Sequence, residues 1–174
     1  MIISVEDLRS QVNCGNTTDE VITARLKAIE AVIRKYTNNN FQQRAVRFAG
    51  YSNEFGVYGS PQHFAVGDTV QISASGVNDG LYVITVAADD HLEFDKPLMT
   101  SEYNLVTKIV YPEDVIQCAV DLFRWKQNMG DKVGIKSETI SRHSVTYEDS
   151  NTLFMGYPVG IMSGVKLLYG KARC

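Results

Sequence analysis

The sequence has few of the residues that most often carry metal, redox or disulfide chemistry. Its 174 residues include three cysteines and three histidines, and these are scattered along the chain. The close paired spacing that is typical of zinc and redox sites does not occur. The residues concerned are Cys14, Cys118, Cys174, His63, His91 and His143. We therefore expect free thiols in a reducing compartment, with no metal site and no cofactor.

An excess of one charge is also missing. Lys and Arg number 17 against 20 for Asp and Glu, a net charge of -3, which does not predict general adhesion to nucleic acid or to an anionic membrane. No apolar run approaches the roughly 20 residues of a membrane-spanning helix, and no basic segment with a long apolar run opens the chain. We expect an unsecreted soluble protein without a membrane partner. A hydrophobic fraction of 44% favours one domain, or one domain that carries an insertion.

No catalytic constellation is visible either. The glycine-rich stretches 56–59 and 76–80 lack the Lys-Ser/Thr that follows a phosphate-binding loop. The acidic run over 89–95 lacks the glycine and the final glutamate of a calcium loop, and a solvated turn explains it better. Cys118 lies within a helical pattern without a histidine motif, which favours buried packing. These observations argue against an enzyme.

Two helices are predicted at the start of the chain. Ser4 and Asp7 form a capping-box pattern for a short helix that runs to about Asn13 and stops near Gly15. Thr17 and Glu20 repeat the pattern before an amphipathic helix of about five turns. The asparagine run after Thr37 ends that helix. Its apolar positions are Ile22, Leu26, Ile29, Ile33 and Tyr36.

Residues 44–110 have the pattern of a β segment. Apolar stretches at 70–72 and 81–86 flank the turn residues 78–80, and 92–94 follows, so at least three strands form a meander or an SH3-like barrel. Four basic and eight acidic residues give this segment a charge of -4, which disfavours binding to phosphate. The aromatic residues Tyr51, Phe55, Tyr58 and Phe64 lie near Arg44 and Arg47 and are assigned to the barrel core rather than to a single-stranded nucleic-acid surface.

Helical patterns return after the β segment. Pro112 is predicted at the first position of a helix that Gly130 closes, and its apolar face predicts a core shared with the long first helix. The members of that core are Leu26, Ile29, Ile33, Leu122 and Phe123. Residues 137–144 are polar and turn-like, and 143–147 suits one short strand. A last, glycine-interrupted helix is predicted from Pro158.

The end of the chain is apolar and cationic. Residues 151–174 contain Lys166, Lys171 and Arg173 and no acid. Two interpretations remain open: the last helix packs on its own bundle, or it is a docking peptide that a partner orders. Deletion of about 167–174 is expected to leave the fold intact and to abolish binding of that partner.

The order of several short motifs resembles the head-tail connector family of long-tailed bacteriophages. They are the opening 3–9, the helix 24–36 running into the asparagines and Phe41, the helix 112–125, and 135–140 leading into 145–147. The ending 167–173 is similar to the Leu-x-x-Tyr-basic finish of that family. The long β segment departs from the compact family pattern.

The resemblance implies an α+β fold with a small α-helical connector bundle, an inserted SH3-like β-barrel or meander, and a C-terminal docking tail. Residues 1–43 with 111–150 would form the connector domain, 44–110 the inserted module and 151–174 the docking segment. It implies a virion protein, in the host cytoplasm before assembly. About twelve copies would form a ring at the neck, between the portal protein and a tail-side stopper or completion protein. DNA would pass through the ring without sequence-specific binding.

Within that expectation, the portal-binding residues are Leu168, Tyr169, Lys171 and Arg173. The alternative from the residues alone is an SH3-like nucleic-acid or protein-binding module of a host regulatory protein.

Overall fold

The fold is mixed α+β and divides into two units. The computed structural model describes residues 1–129, 137–140, 143–146 and 153–172. Within them lie four helices and a six-stranded antiparallel sheet, which confirms the α+β expectation. One unit, the sheet unit, holds residues 40–111 and Met1. The other, the helical unit, holds residues 2–39 together with the described residues from 112 onward.

The sheet unit is an antiparallel sheet that closes on itself. Its strands follow the order β1-β2-β5-β4-β3-β6, and β6 pairs with both β3 and β1. The strands predicted around the turn at 78–80 are present as the meander β3-β4-β5. The six strands are β1 (Gln42–Ser52), β2 (Val57–Tyr58), β3 (Thr69–Ser73), β4 (Gly80–Ala87), β5 (His91–Phe94) and β6 (Ser101–Ile109).

Alternating apolar side chains fill the sheet unit, because successive residues of a strand point to opposite faces. The buried cluster contains Phe48, Val57, Val70, Ile72, Ile84, Leu92, Leu98 and Val106. A polar contact set lies beside it. The amide of the buried Asn78 donates to Ser52 Oγ at 3.0 Å and to Asn104 Oδ1 at 3.1 Å, and its oxygen accepts from the Met99 backbone at 2.8 Å. The side chain of Asn78 therefore forms internal hydrogen bonds in the sheet unit, in addition to lying in a turn.

The four helices of the helical unit begin and end close to the predicted positions. They are α1 (Val5–Gln11), α2 (Asp19–Thr37), α3 (Glu113–Met129) and α4 (Val159–Tyr169). Ser4 caps α1 by accepting from the Asp7 backbone at 3.0 Å, as predicted. The predicted cap of α2 was wrong: Thr18, not Thr17, is the N-cap, and its side chain makes no capping hydrogen bond. Asn38 ends α2 in the left-handed conformation, at φ 52°.

The predicted shared core is confirmed. Leu26, Ile29, Ile33, Leu122 and Phe123 are all buried, and α2 contacts α3. Pro112 lies immediately before α3, and its carbonyl accepts from Val115 and Ile116. Gly130, predicted to close this helix, lies outside the described residues.

The later part of the helical unit differs from the sequence-based picture. Residues 137–140 were predicted as turn-like, yet they form β7 (Ser137–Ile140), paired with β8 (His143–Thr146). A smaller pair, β9 (Leu153–Phe154) and β10 (Tyr157–Pro158), leads into α4. The division drawn from sequence set residues 151–174 apart. In the structure the described residues 153–172 belong to the helical unit, because α4 packs on α2 and α3.

Candidate interaction surfaces

The chain after α4 is fastened to the end of α2. The backbone N–H of Lys171 donates to the Thr37 carbonyl at 2.8 Å. The Asn38 amide donates to the carbonyl of Ala172 at 2.9 Å, and the Asn39 amide donates to the carbonyl of Tyr169 at 3.0 Å. The asparagine run that ends α2 therefore also holds the last described residues in place.

The predicted portal-binding residues fall into different environments. Leu168 is 67% exposed, and Lys171 is exposed. Tyr169 is half-buried, and its hydroxyl donates to the Asp114 carboxylate at 2.9 and 3.0 Å, which raises the pKa of Tyr169. Arg173 lies outside the described residues. The residues buried on α4 are Met162 and Val165, so Leu168 lies outside the buried side of this helix.

An open groove runs between α3 and α4, with a volume of about 270 Å³. Asp114, Gln117 and Asp121 line it from α3, and Ile161, Gly164 and Leu168 line it from α4. Cys118 and Val165 complete the lining. We call this feature the acidic groove, because its lining includes two carboxylates and no lysine or arginine. Sequence reasoning missed it, since its lining residues on α3 and α4 are at least forty residues apart in the sequence.

Aromatic side chains stack across the outside of the sheet unit. Tyr51 stacks on Tyr58 with centroids 5.2 Å apart, and Tyr58 stacks on His91 at 5.1 Å. The assignment of all four aromatics to the core was wrong, because Tyr51 is 57% and Phe55 65% exposed. Phe64 does pack against the core, edge-on to Phe48. The three rings stack because they come from β1, β2 and β5, which are adjacent strands of the sheet.

Charges around this stack are mainly negative. His91 Nδ1 lies 2.8 Å from the Asp90 carboxylate, and Nε2 lies 3.7 Å from Glu93. The hydrogen bond to Asp90 raises the pKa of His91. Of the basic residues in the sheet unit, Lys108 is paired with Asp68 at 2.6 Å. The stack therefore lies beside carboxylates, which repel a phosphate backbone.

Within the described residues, no group of three or more His, Cys, Asp or Glu side chains is placed to hold a metal ion. Cys118 is buried on α3, and desolvation, with smaller effects from Asp121 and Asp114, raises its pKa to about 11. A thiol with that pKa is almost wholly protonated at neutral pH and is a poor nucleophile.

No protein-family model matches this chain, and no curated protein matches it significantly. In the part of the chain that the structure describes, none of the helices combines the length and the apolar character needed to cross a membrane.

Proposed function

We propose that this chain is a head-tail connector of a long-tailed bacteriophage, which assembles as a ring between the portal protein and a tail-side stopper or completion protein. The observation that carries the proposal is the helical unit itself. Its helices come from both sides of the inserted sheet, in the motif order that resembles the connector family, and they end in an exposed apolar and cationic segment.

In this proposal the end of the chain is the portal contact. Leu168, Tyr169, Lys171 and Arg173 lie at or beyond the end of α4. Exposed leucine side chains gain free energy when a partner removes them from water, and Lys171 adds a positive charge that selects an acidic partner. The fastening of residues 169–172 to α2 holds this contact in a fixed position, so that binding orders few additional residues.

The closed sheet has the role of an inserted, SH3-like module in this proposal. Its negative charge keeps it from adhering to DNA that passes through the ring. The site of action is the neck of the virion, and the host cytoplasm holds the chain before assembly.

A second candidate function is an SH3-like binding module of a host regulatory protein. The exposed aromatic stack of Tyr51 and Tyr58, with exposed Arg44 and Arg47 on the same strand as Tyr51, favours it. A gel-shift titration with single-stranded DNA across salt concentrations separates the two functions. A connector shows little affinity at any salt, whereas a nucleic-acid module binds at low salt and weakens steeply as salt rises.

The direct test of the connector function uses portal-bearing heads that lack this protein. Purified chain is added, and the heads that acquire tails are counted by electron microscopy. We expect the unaltered chain to restore joining and Lys171→Glu to reduce it, because the reversed charge repels the acidic partner. Arg44→Glu, which makes the same charge change on exposed β1, is the matched control and should join normally. Heads that bind none of the unaltered chain would exclude the connector function.

A further inference from the structure

The outward face of α2 has an unusual composition. Beyond the first turn, its exposed residues fall within about a third of the helix circumference, at 100° per residue. Beyond the first turn this face holds only alanine and lysine. We call it the Ala-Lys face, and its members are Ala24, Lys27, Ala28, Ala31 and Lys35. Alanine leaves room for another helix to approach the backbone closely, and lysine supplies positive charge at the margin.

The acidic groove has the opposite character. Asp114 and Asp121 give it negative charge, although each has a local partner: the Tyr169 hydroxyl donates to Asp114, and Asp121 lies 3.2 Å from the Arg124 guanidinium. Leu168, which lines the groove, and its neighbour Leu167 project into solvent, 67% and 86% exposed. Adjacent exposed leucines on a short helix are the kind of apolar surface that a partner covers.

The two surfaces match in charge spacing and in shape. Lys27 and Lys35 are separated by about 12 Å along α2, and Asp114 and Asp121 by about 10 Å along α3, at 1.5 Å per residue. A helix laid along the groove can therefore bring both of its lysines near both carboxylates. The large leucine side chains meet the small alanines, which allows close packing between the helices.

We propose that the occupant of the acidic groove is a second copy of this chain, which inserts its Ala-Lys face between α3 and α4 of the first. This interface rests on the proposed connector function, and it identifies the surfaces that join neighbouring copies in the ring. Because the two surfaces differ and belong to different helices, each copy can use both at once. Such a heterologous contact repeats from copy to copy and closes into a ring when the rotation allows.

The first test measures the mass of the full chain against concentration by sedimentation velocity. We expect the unaltered chain to grow beyond a dimer and Ala31→Glu to weaken association by about tenfold or more, since a carboxylate is brought against the acidic groove. Glutamate four residues before Lys35 favours the helix, so the melting temperature should not fall. Ala45→Glu, at an exposed alanine of β1, is the matched control and should associate like the unaltered chain.

The second test mixes two variants that are each defective at one surface. Leu168→Lys places a positive charge in the groove and should also associate more weakly than the unaltered chain, because it repels Lys27 and Lys35. A mixture of Ala31→Glu and Leu168→Lys should regain complexes, since each variant supplies the surface that the other has lost. A contact between identical faces would instead leave one variant able to pair with itself.

Several outcomes overturn this interface. The first is an unaltered chain that stays monomeric at about 1 mM, a concentration at which even weak specific contacts are populated. The second is an Ala31→Glu variant that associates normally. The third is a mixture of the two variants that forms no complex. If the groove instead binds a basic helix of another protein, the unaltered chain stays monomeric. The connector function fails separately, when portal-bearing heads bind none of the chain while self-association persists. Sedimentation of the mixture and the head-joining count are therefore run on the same preparations.

Discussion

The thiol of Cys118 shows how packing changes the chemistry of a single residue. Its Sγ lies 3.6 Å from the Ile161 carbonyl, to which it donates, and the side chain is buried between α3 and α4. Loss of water disfavours the thiolate and raises the pKa to about 11. The residue therefore contributes apolar packing.

The rate at which Cys118 is alkylated should depend on pH, because its raised pKa sets the fraction of thiolate. We expect Cys118 in the native protein to react slowly with iodoacetamide at pH 8 and faster as the pH approaches 11, because only the thiolate attacks. Peptide mass mapping separates it from the other cysteines. In denaturant the pKa returns toward 9.0, and labelling at pH 8 should become rapid. Rapid labelling of the native thiol at pH 8 would contradict the burial of Cys118.

The contacts of the His91 side chain lead us to expect that the stability of the sheet unit depends on pH. The hydrogen bond to Asp90 and the nearby charge of Glu93 raise its pKa above 6.5, while His91 lowers the pKa of Asp90 below 3.8. The contribution of His91 to stability is complete below pH 6.5 and is lost as the pH rises through the raised pKa. The contribution of Asp90 is present above pH 3.8 and is lost as the pH falls through the lowered pKa.

The measurement is the urea midpoint of the sheet unit between pH 5 and pH 8. We expect the unaltered chain to lose more stability over this range than His91→Gln, which has no charge to lose. The effect should be small, since the pair lies at the surface and water screens it. Identical pH profiles for the two proteins would show that the contacts of His91 with Asp90 and Glu93 do not form in solution.

At the scale of elements, α3 owes its stability to its buried side. Leu122 and Phe123 are fully buried against the rest of the helical unit, whereas Lys126 lies over the Tyr157 ring at 5.9 Å from its centroid and stays partly in water. A buried leucine contributes both transfer free energy and packing, and a lysine over a ring contributes much less.

Substitutions on the buried and exposed sides of α3 should lower the free energy of unfolding by different amounts. We expect Leu122→Ala to lower the free energy of unfolding by about 2 to 5 kcal/mol, through the lost transfer energy and the cavity left behind. Lys126→Ala should cost about 1 kcal/mol or less. Denaturant melts of both variants measure the difference. Equal losses would indicate that α3 is rotated about its axis relative to this structure.

At the scale of the whole molecule, the end of α2 is hydrogen-bonded to the chain that follows α4. The Asn38 amide donates to the Ala172 carbonyl and the Asn39 amide to the Tyr169 carbonyl, across at least 130 residues of sequence. The expectation that deletion of about 167–174 leaves the fold intact stays a prediction, but the deletion removes these hydrogen bonds and the one from Tyr169 to Asp114.

Truncation before Leu167 should now destabilise the helical unit by about 1 to 3 kcal/mol, since several partly exposed hydrogen bonds are lost at about 0.5 to 1.5 kcal/mol each or less. Thermal melts of the truncated and full chains measure this. Lys171→Glu retains the backbone bonds and serves as the control, with a melting temperature near that of the full chain. A truncated chain that melts like the full chain would show that these hydrogen bonds do not contribute measurably to stability.

The sequence by itself determined the local elements of the helical unit. The capping pair at Ser4, the periodic apolar residues of α2 and the asparagine at its end act within a few residues of one another. The buried faces of α2 and α3 followed from the same periodicity, because a helix repeats every 3.6 residues whatever lies opposite.

Only the tertiary structure decided which side chains meet across long separations. Asn78 turned inward, because Ser52, Asn104 and the Met99 backbone surround it with donors and acceptors, while a turn signal gives no direction for the side chain. Tyr51 faces outward because the register of β1 on β2 stacks it against Tyr58. The acidic groove exists because α4 packs on α3, and neither helix alone contains it. These features depend on strand register and helix packing, which short-range sequence patterns do not encode.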